Sequence, residues 1–310
     1  MLDNNRPTLP ENMTVFERGW LSSNNLLLVG KKSSALIDSG YGLHAEQTVA
    51  LVASTLAGRP LDLLLNTHLH SDHCGGNAAL QNTYPDLVTH IPPGLSAHVQ
   101  DWNPQALAYT PTGQQCQKFG FDALLRPGTD LQLGDQLWQV HAAPGHDPHS
   151  VILFEPVTRV LVSADALWER GFGVVFPELE GMAAFDDVAK TIDLIEALKP
   201  DIVIPGHGPA FSGVKKSIAN ARERLAGFVS HPEKHIKYAT KVLLKFKLLE
   251  AQSLDIGSFI GWAGSTPYVV LIHERYFSTV DFFEWVDHLI EELVRSGAAS
   301  RDGVMIRNAG

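Results

Sequence analysis

Thr67-His68-Leu69-His70-Ser71-Asp72-His73-Cys74-Gly75-Gly76 packs three imidazoles and a carboxylate into the six positions from His68 to His73. It belongs to the apolar run LDLLLNTH, residues 61–68, which reads as a strand buried on both faces. A polar loop at the carboxyl end of such a strand can turn alternate residues toward one point, in the crevice where open αβ sheets bind ligands. Neutral imidazole and carboxylate suit Zn²⁺, Fe²⁺ or Mn²⁺. Gly75 and Gly76 let the backbone fold tightly behind the donors. The plain alternative is a solvated loop that happens to be rich in histidine, and the H-x-H-x-D-H spacing is too restrictive to favour it.

Outward from this loop, residues 13–40 read as three short strands (MTVFERG, NNLLLVG, SALIDSG), and His44 to Leu56 has helical patterning that stops at Gly58 and Pro60. A short helix through Ala78–Gln81 and the strand LVTHI follow, then a stretch rich in Pro, Gly, Gln and aromatics at 92–120, expected as helical insertions or a flap. Strands resume at QLWQVHAAPG, SVILFEP and RVLVSAD. A helix is expected over Ala183–Leu198, then DIVIPGHG as a strand entering a loop, then a helix over Val214–Phe228. Two stretches thus share one order: strands, a helix, then an apolar strand ending in a histidine-bearing loop. That order suggests a duplicated αβ unit, with two sheets face to face and helices outside. The sequence match between the halves is too weak to name a repeat.

Composition narrows the function classes. The 310 residues fit one large domain or two smaller ones, and 45% hydrophobic with 19% charged residues is ordinary globular usage. The formal charge of −10 repels phosphate backbones, so nucleic acid is not the expected partner. Two cysteines, Cys74 and Cys116, exclude a disulfide scaffold and a four-cysteine zinc ribbon, and fit a reducing compartment. The opening MLDNNRPTLPENMTVFERG has no apolar core, and no run of about 18 apolar residues is present to span a membrane. A soluble, cytoplasmic protein is expected. Its 14 histidines do not look scattered at random.

Three further segments sit at strand ends: Ala143-Pro144-Gly145-His146-Asp147-Pro148-His149, Ser163-Ala164-Asp165, and Pro205-Gly206-His207-Gly208. Each alone is weak, since a histidine after Pro-Gly is usually a turn residue. Together they add two imidazoles and a second carboxylate, the set a dinuclear site needs. With H-x-H-x-D-H followed by His, Asp and His in that order, residues 13–230 resemble the metallo-β-lactamase-fold hydrolase superfamily. The resemblance implies an α/β fold, a four-layer αββα sandwich. It implies that His68, His70 and His146 hold one divalent metal ion, that Asp72, His73 and His207 hold a second, and that Asp165 bridges both. Zinc is the expected metal, with iron or manganese as the other options. The family also places an Asp at the end of an early strand, matched by Asp38. It either braces the histidine-rich loop or simply forms the turn before Ser39-Gly40.

Two divalent ions about 3.5–4 Å apart can share one hydroxide at neutral pH and polarise a carbonyl or phosphoryl oxygen. We assign Asp72 the catalytic role beside its ligand role. Ser71 and Ser150 lack a base and read as structural, and Cys74 as a packing or bracing residue. Members that cleave β-lactams often use a cysteine at the second metal, where this chain offers Asp72; the sequence sits closer to the glyoxalase II, lactonase and RNase Z-like branches. His149 is either a substrate-facing general acid or a hydrogen-bonding wall residue. Trp168, Phe172 and Phe176 line an apolar substrate wall or pack in the core, with Tyr109 and Trp102 as weaker candidates.

From residue 231 the pattern turns helical, over His231–Glu250, Asp255–Trp262 and Thr279–Arg295, and ends in a hairpin at Asp302-Gly303. A winged-helix-like C-terminal domain over 231–310 is expected beside a catalytic domain over 1–230. Lys234, Lys237, Lys241 and Lys245 recur at helical spacing, yet the tail holds nine Lys and Arg against ten Asp and Glu, so a solvated helix face is the better reading. Its opposite face, with Ile236, Ala239, Leu243 and Phe246, is expected to pack on the main domain or on a second copy in a homodimer. The leading expectation is a dinuclear hydrolase of a small ester, thioester or lactone. The alternatives are a phosphodiesterase or endoribonuclease of the same fold and, further off, an iron-dependent redox enzyme.

Overall fold

Side-chain alternation along the strands decides the layering. The structure, a computed structural model, describes residues 6–310. One sheet has the order β1 (Met13–Phe16), β2 (Asn25–Val29), β3 (Ser34–Ile37), β4 (Leu63–Leu65), β5 (Val88–Ile91) and β6 (Ala123–Leu124). The other runs from β11 (Ile202–Pro205) through β10 (Val160–Ala164), β9 (Val151–Glu155) and β8 (Gln136–Ala142) to β7 (Asp130–Leu133). Leu26, Leu28, Ala35, Ile37 and Leu65 point inward from the first sheet to meet Trp138, Val140, Val151, Leu153, Val162 and Ile204 of the second. The residues between them point outward. Leu27, Leu36 and Leu64 meet α1 (Ala45–Leu56), and Leu80 joins them from α3 (Asn77–Thr83). Ile152, Phe154, Leu161 and Val203 meet α7 (Phe185–Leu198) and α8 (Val214–Ser230). The period of two thus gives each sheet two buried faces, and the result is the four-layer αββα sandwich.

The apolar run at 61–68 contributes only the three-residue strand β4, and Ser71–Cys74 is a single helical turn, α2, where an open loop was expected. The 92–120 insertion carries α4 (Ser96–Gln100) and α5 (Tyr109–Thr112), and α6 (Phe176–Leu179) follows β10. The remaining elements are α9 (Pro232–Ala251), β12 (Ser253–Asp255), α10 (Ile256–Ser265), α11 (Pro267–Tyr276), α12 (Phe282–Arg295), β13 (Ala299–Asp302) and β14 (Met305–Asn308). β12 and α11 have no counterpart in the sequence reading. The three strands form a sheet in the order β12-β14-β13, and the helices share one core with it.

The lysines of α9 do not form a solvated face as expected. Lys237 and Lys241 both pair with Glu292 of α12, and Lys245 bonds to the chain's last residues, so the stripe fastens α9 to its neighbours. No helix among the described residues is long and apolar enough to cross a membrane.

Candidate metal centre

Four chain segments reach the same rim of the sandwich. Nitrogen or oxygen atoms of His68, His70 and His146 lie within 4.8 Å of one another, as do those of His68, His73 and Asp165, and those of Asp72, His73 and His207. All seven residues proposed from the sequence are therefore brought together, and all seven side chains are wholly or mostly buried.

Local backbone features aim them. The parallel pairing of β10 with β11 breaks register between Val162 and Ala164, and Ala164 adopts φ +45°, which turns Asp165 out of the strand toward the cluster. Gly206 passes so close that an added Cβ would lie 2.2 Å from Asp165 Oδ1. Gly75 has the same reason to be glycine: a Cβ there would meet the Gly42 nitrogen at 2.4 Å, so close approach and not an unusual backbone angle demands it. The segment before β2 joins the two halves. Ser23 N–H donates to the Asp72 carbonyl at 2.9 Å, and Asn24 N–H to the Gly206 carbonyl at 2.7 Å. Asn24 Nδ2 also donates to the Pro205 and Gly208 carbonyls at 2.9 and 2.6 Å.

Asp38 is the hub behind the metal-facing side. Its Oδ1 accepts Thr67 N–H at 2.8 Å, and its Oδ2 accepts both Thr67 Oγ1–H and His73 Nδ1–H at 2.8 Å. His73 Nδ1 therefore carries the proton. Nε2 is buried and without a hydrogen-bond partner, 3.6 Å from Asp165 Oδ1. Such an orphaned nitrogen beside a carboxylate fits a cation between them. His146 repeats the device: Nδ1 donates to the Val174 carbonyl at 2.5 Å, and Nε2 faces His70 Nδ1 at 2.9 Å. His70 Nδ1 also lies 3.1 Å from His68 Nε2, so three ring nitrogens converge on one point.

Charge follows burial and neighbours. Burial pushes His70 and His146 down to about 4 and His68 well below the usual histidine range, so the rings are neutral and ready to donate lone pairs. For His73 burial acts the same way, but Asp38, Asp165 and Asp72 outweigh it and raise the ring well above that range; the three carboxylates favour a positive charge at this point, carried by a proton on Nε2 or by a cation in its place. Burial likewise opposes charge on Asp72 and Asp165, yet the imidazoles beside them hold both carboxyls below normal.

A cavity of about 90 Å³ lies over the cluster. Trp168 lines it, and its Nε1–H donates to Asp165 Oδ1 at 3.2 Å. Phe176 lines it too, edge-on to His70 and His146 at 5.0 and 5.6 Å, as does Tyr109. Phe172 does not: it is 1% exposed and packs with Phe228 in the core outside the second sheet, because β10 and the segment after it bury their outward face against α8. Trp102 also turns away, onto Tyr109 and Phe119. His149 borders a neighbouring cavity of about 210 Å³ that shares His70, and its ring lies directly over Gly94. Cys74 is buried with Sγ 3.2 Å from Tyr109 Oη, and burial keeps its thiol protonated. Ser71 Oγ bonds to Gln114 Oε1.

Sequence reasoning missed Trp20, which stacks on His207 at 5.4 Å and 10°, and Tyr238 and Val242 of α9, which wall the cavity. No local motif marks them. An amphipathic helix with an aromatic at the edge of its apolar stripe was the one available signal.

The sequence profile of the metallo-beta-lactamase superfamily matches residues 18–207, and the chain belongs to that superfamily. A hydroxyacylglutathione hydrolase of Mesorhizobium japonicum is 25% identical over 189 residues, 61% of this chain and 60% of that protein. The chain thus spans about three-fifths of that relative's length. The human acyl-coenzyme A thioesterase MBLAC2 is 26% identical over 219 residues, 63% of this chain and 77% of that one. Among solved structures, a metallo-beta-lactamase family protein from Thermus thermophilus superposes with a TM-score of 0.58 at 19% identity, covering 97% of this chain and 100% of that one, and this supports the fold.

Proposed function

We propose that the chain is a metal-dependent hydrolase of a small ester, thioester or lactone. In this reading His68, His70 and His146 hold one divalent ion, Asp72, His73 and His207 a second, and Asp165 both, with zinc as the metal. The observation that carries it is the partnerless, buried Nε2 of His73, which faces Asp165 while Asp38 holds Nδ1. Bound ions would supply a hydroxide nucleophile at neutral pH and a Lewis acid for the carbonyl oxygen.

The protein's own groups do the rest. Asp38 and the Val174 carbonyl hold two imidazoles with their lone pairs inward. Trp168 Nε1–H fixes the angle of the Asp165 carboxylate. Asp72 Oδ2, 3.1 Å from His207 Nε2, is the oxygen assigned to orient the attacking water and take its proton. Trp20, Trp168, Phe176 and Tyr109 exclude bulk water from the approach. The curated relatives named as a thioesterase and as a glutathione-ester hydrolase support the substrate class.

The test is a metal count on purified protein joined to a screen of lactones, thioesters and phosphodiesters. About two zinc ions per chain and cleavage of a thioester or lactone are expected, with Asp165→Ala losing at least 100-fold in kcat/KM. An Asp165→Ala variant as active as the parent on every substrate would overturn the reading.

A further inference from the structure

The cavity over the cluster does not end at the donors. Along α9 it runs into a second cavity of about 330 Å³, and Trp20, Tyr238, Val242 and Phe246 wall both. Beyond them Leu249 and Leu293 line the far end. The two lysines on this wall are engaged by the protein itself. Lys241 Nζ pairs with Glu292 at 3.1 Å. Lys245 Nζ uses its three hydrogens on the Ala298 carbonyl, Asn308 Oδ1 and the Ala309 carbonyl at 2.6, 2.5 and 2.8 Å. The lysine head groups are thus held by acceptors of the protein, and their hydrocarbon stems add to the apolar wall. The arm on the other side of His70 differs: Asp147, Glu180 and the Tyr268 hydroxyl border it.

We infer that the cavity beneath α9 is an acyl subsite, which takes the unbranched hydrocarbon chain of an ester or thioester whose carbonyl lies over His70, Asp72 and His207. This rests on the hydrolase reading above and names the acyl half of its substrate. The shared wall carries the inference: a chain leaving the carbonyl carbon toward α9 runs along Trp20, Tyr238, Val242 and Phe246, and each methylene moved from water into that space is favourable.

The experiment uses N-acetylcysteamine thioesters of acetyl, butyryl, hexanoyl and octanoyl groups on the zinc-loaded full chain, so that the leaving group is constant. The expected result is a kcat/KM that rises about fourfold per methylene, the equivalent of about 0.8 kcal/mol, until the cavity is filled. Leu249→Trp, which fills the far end, should lower the octanoyl-to-acetyl ratio at least tenfold. Ser296→Trp fills it from the opposite wall and serves if the first variant does not fold.

A second measurement needs no turnover: calorimetric binding of the uncleavable S-octyl thioether of N-acetylcysteamine to metal-free protein, expected for the parent and weakened at least tenfold in either variant. Thioether binding blocked by the tryptophans, with no thioester, ester or lactone cleaved, would uphold the subsite and overturn the hydrolase reading. Cleavage with a flat chain-length profile and no thioether binding would overturn the subsite alone. Neither cleavage nor binding would overturn both.

Discussion

Asp38 sits in the left-handed region, φ +59°, which few side chains tolerate and Asp tolerates better than most. The strain is held because three hydrogen bonds from Thr67 and His73 depend on that angle. Asp38→Ala should lower metal affinity roughly 10–100-fold, measured by competition with a chromogenic chelator, and an unchanged affinity would refute its bracing role. Gly206→Ala pushes a methyl into the Asp165 carboxylate and should cost roughly 1–3 kcal/mol in chemical denaturation, with loss of bound metal. Gly227→Ala, within α8 where a Cβ meets nothing within 4 Å, should instead stabilise by roughly 0.5–1 kcal/mol. At this scale the donors were legible because ligand chemistry restricts residue type and spacing. Phe172 and Trp168 were not separable: four positions apart after one strand, they face opposite sides, and only the packing of α8 decides which is covered.

Among the elements, α9 does three things at once: it walls the cavity, anchors α12 through Glu292, and fixes the loop after β10 through His235. His235 Nε2 accepts Val175 N–H at 3.0 Å and must be neutral to do so; burial, with Arg224 adding to it, lowers its pKa to about 4. The unfolded chain binds this proton below about 6.5 and the folded chain only near 4, so the contribution is complete above pH 6.5 and lost as pH falls toward 4. His235→Gln should flatten the stability profile between those values by roughly 3 kcal/mol, read from denaturation midpoints of metal-free protein. Asp281 caps α12 with bonds to the Phe283 and Glu284 amides, and Asp281→Ala should cost about 1 kcal/mol. The period of the apolar residues showed α9 and α12 because each buries one stripe. α11 escaped notice, although Pro267 at its first turn after Thr266 is a start signal, because its stripe is short and lies between two bulkier helices. We propose that residues 231–310 form a winged-helix-like unit, on the strength of β12 pairing with β14 across three intervening helices.

For the whole molecule, the sandwich was legible from strand alternation and from the two strand-end histidine loops, since both express burial directly. The course of α9 over the metal cavity was not, because nothing in a helix's own sequence says which neighbour its edge will meet. A cation held by seven donors that only the folded chain brings together stabilises the fold, so zinc should raise the melting temperature and a chelator should lower it; a midpoint indifferent to both would argue against a metal centre. Glu292 pairs with two lysines of the stripe and the formal charge of −10 repels phosphate, so weak retention on single-stranded RNA is expected.

Asn24 grips the backbone at Pro205, Gly206 and Gly208, more than 180 positions further along. A chain halted on the ribosome short of residue 208 can lay down β1 to β10, but its Asn24 has nothing to hold and its cation cage lacks a wall. Competence arrives late in translation, and any fragment ending before that point is born without it.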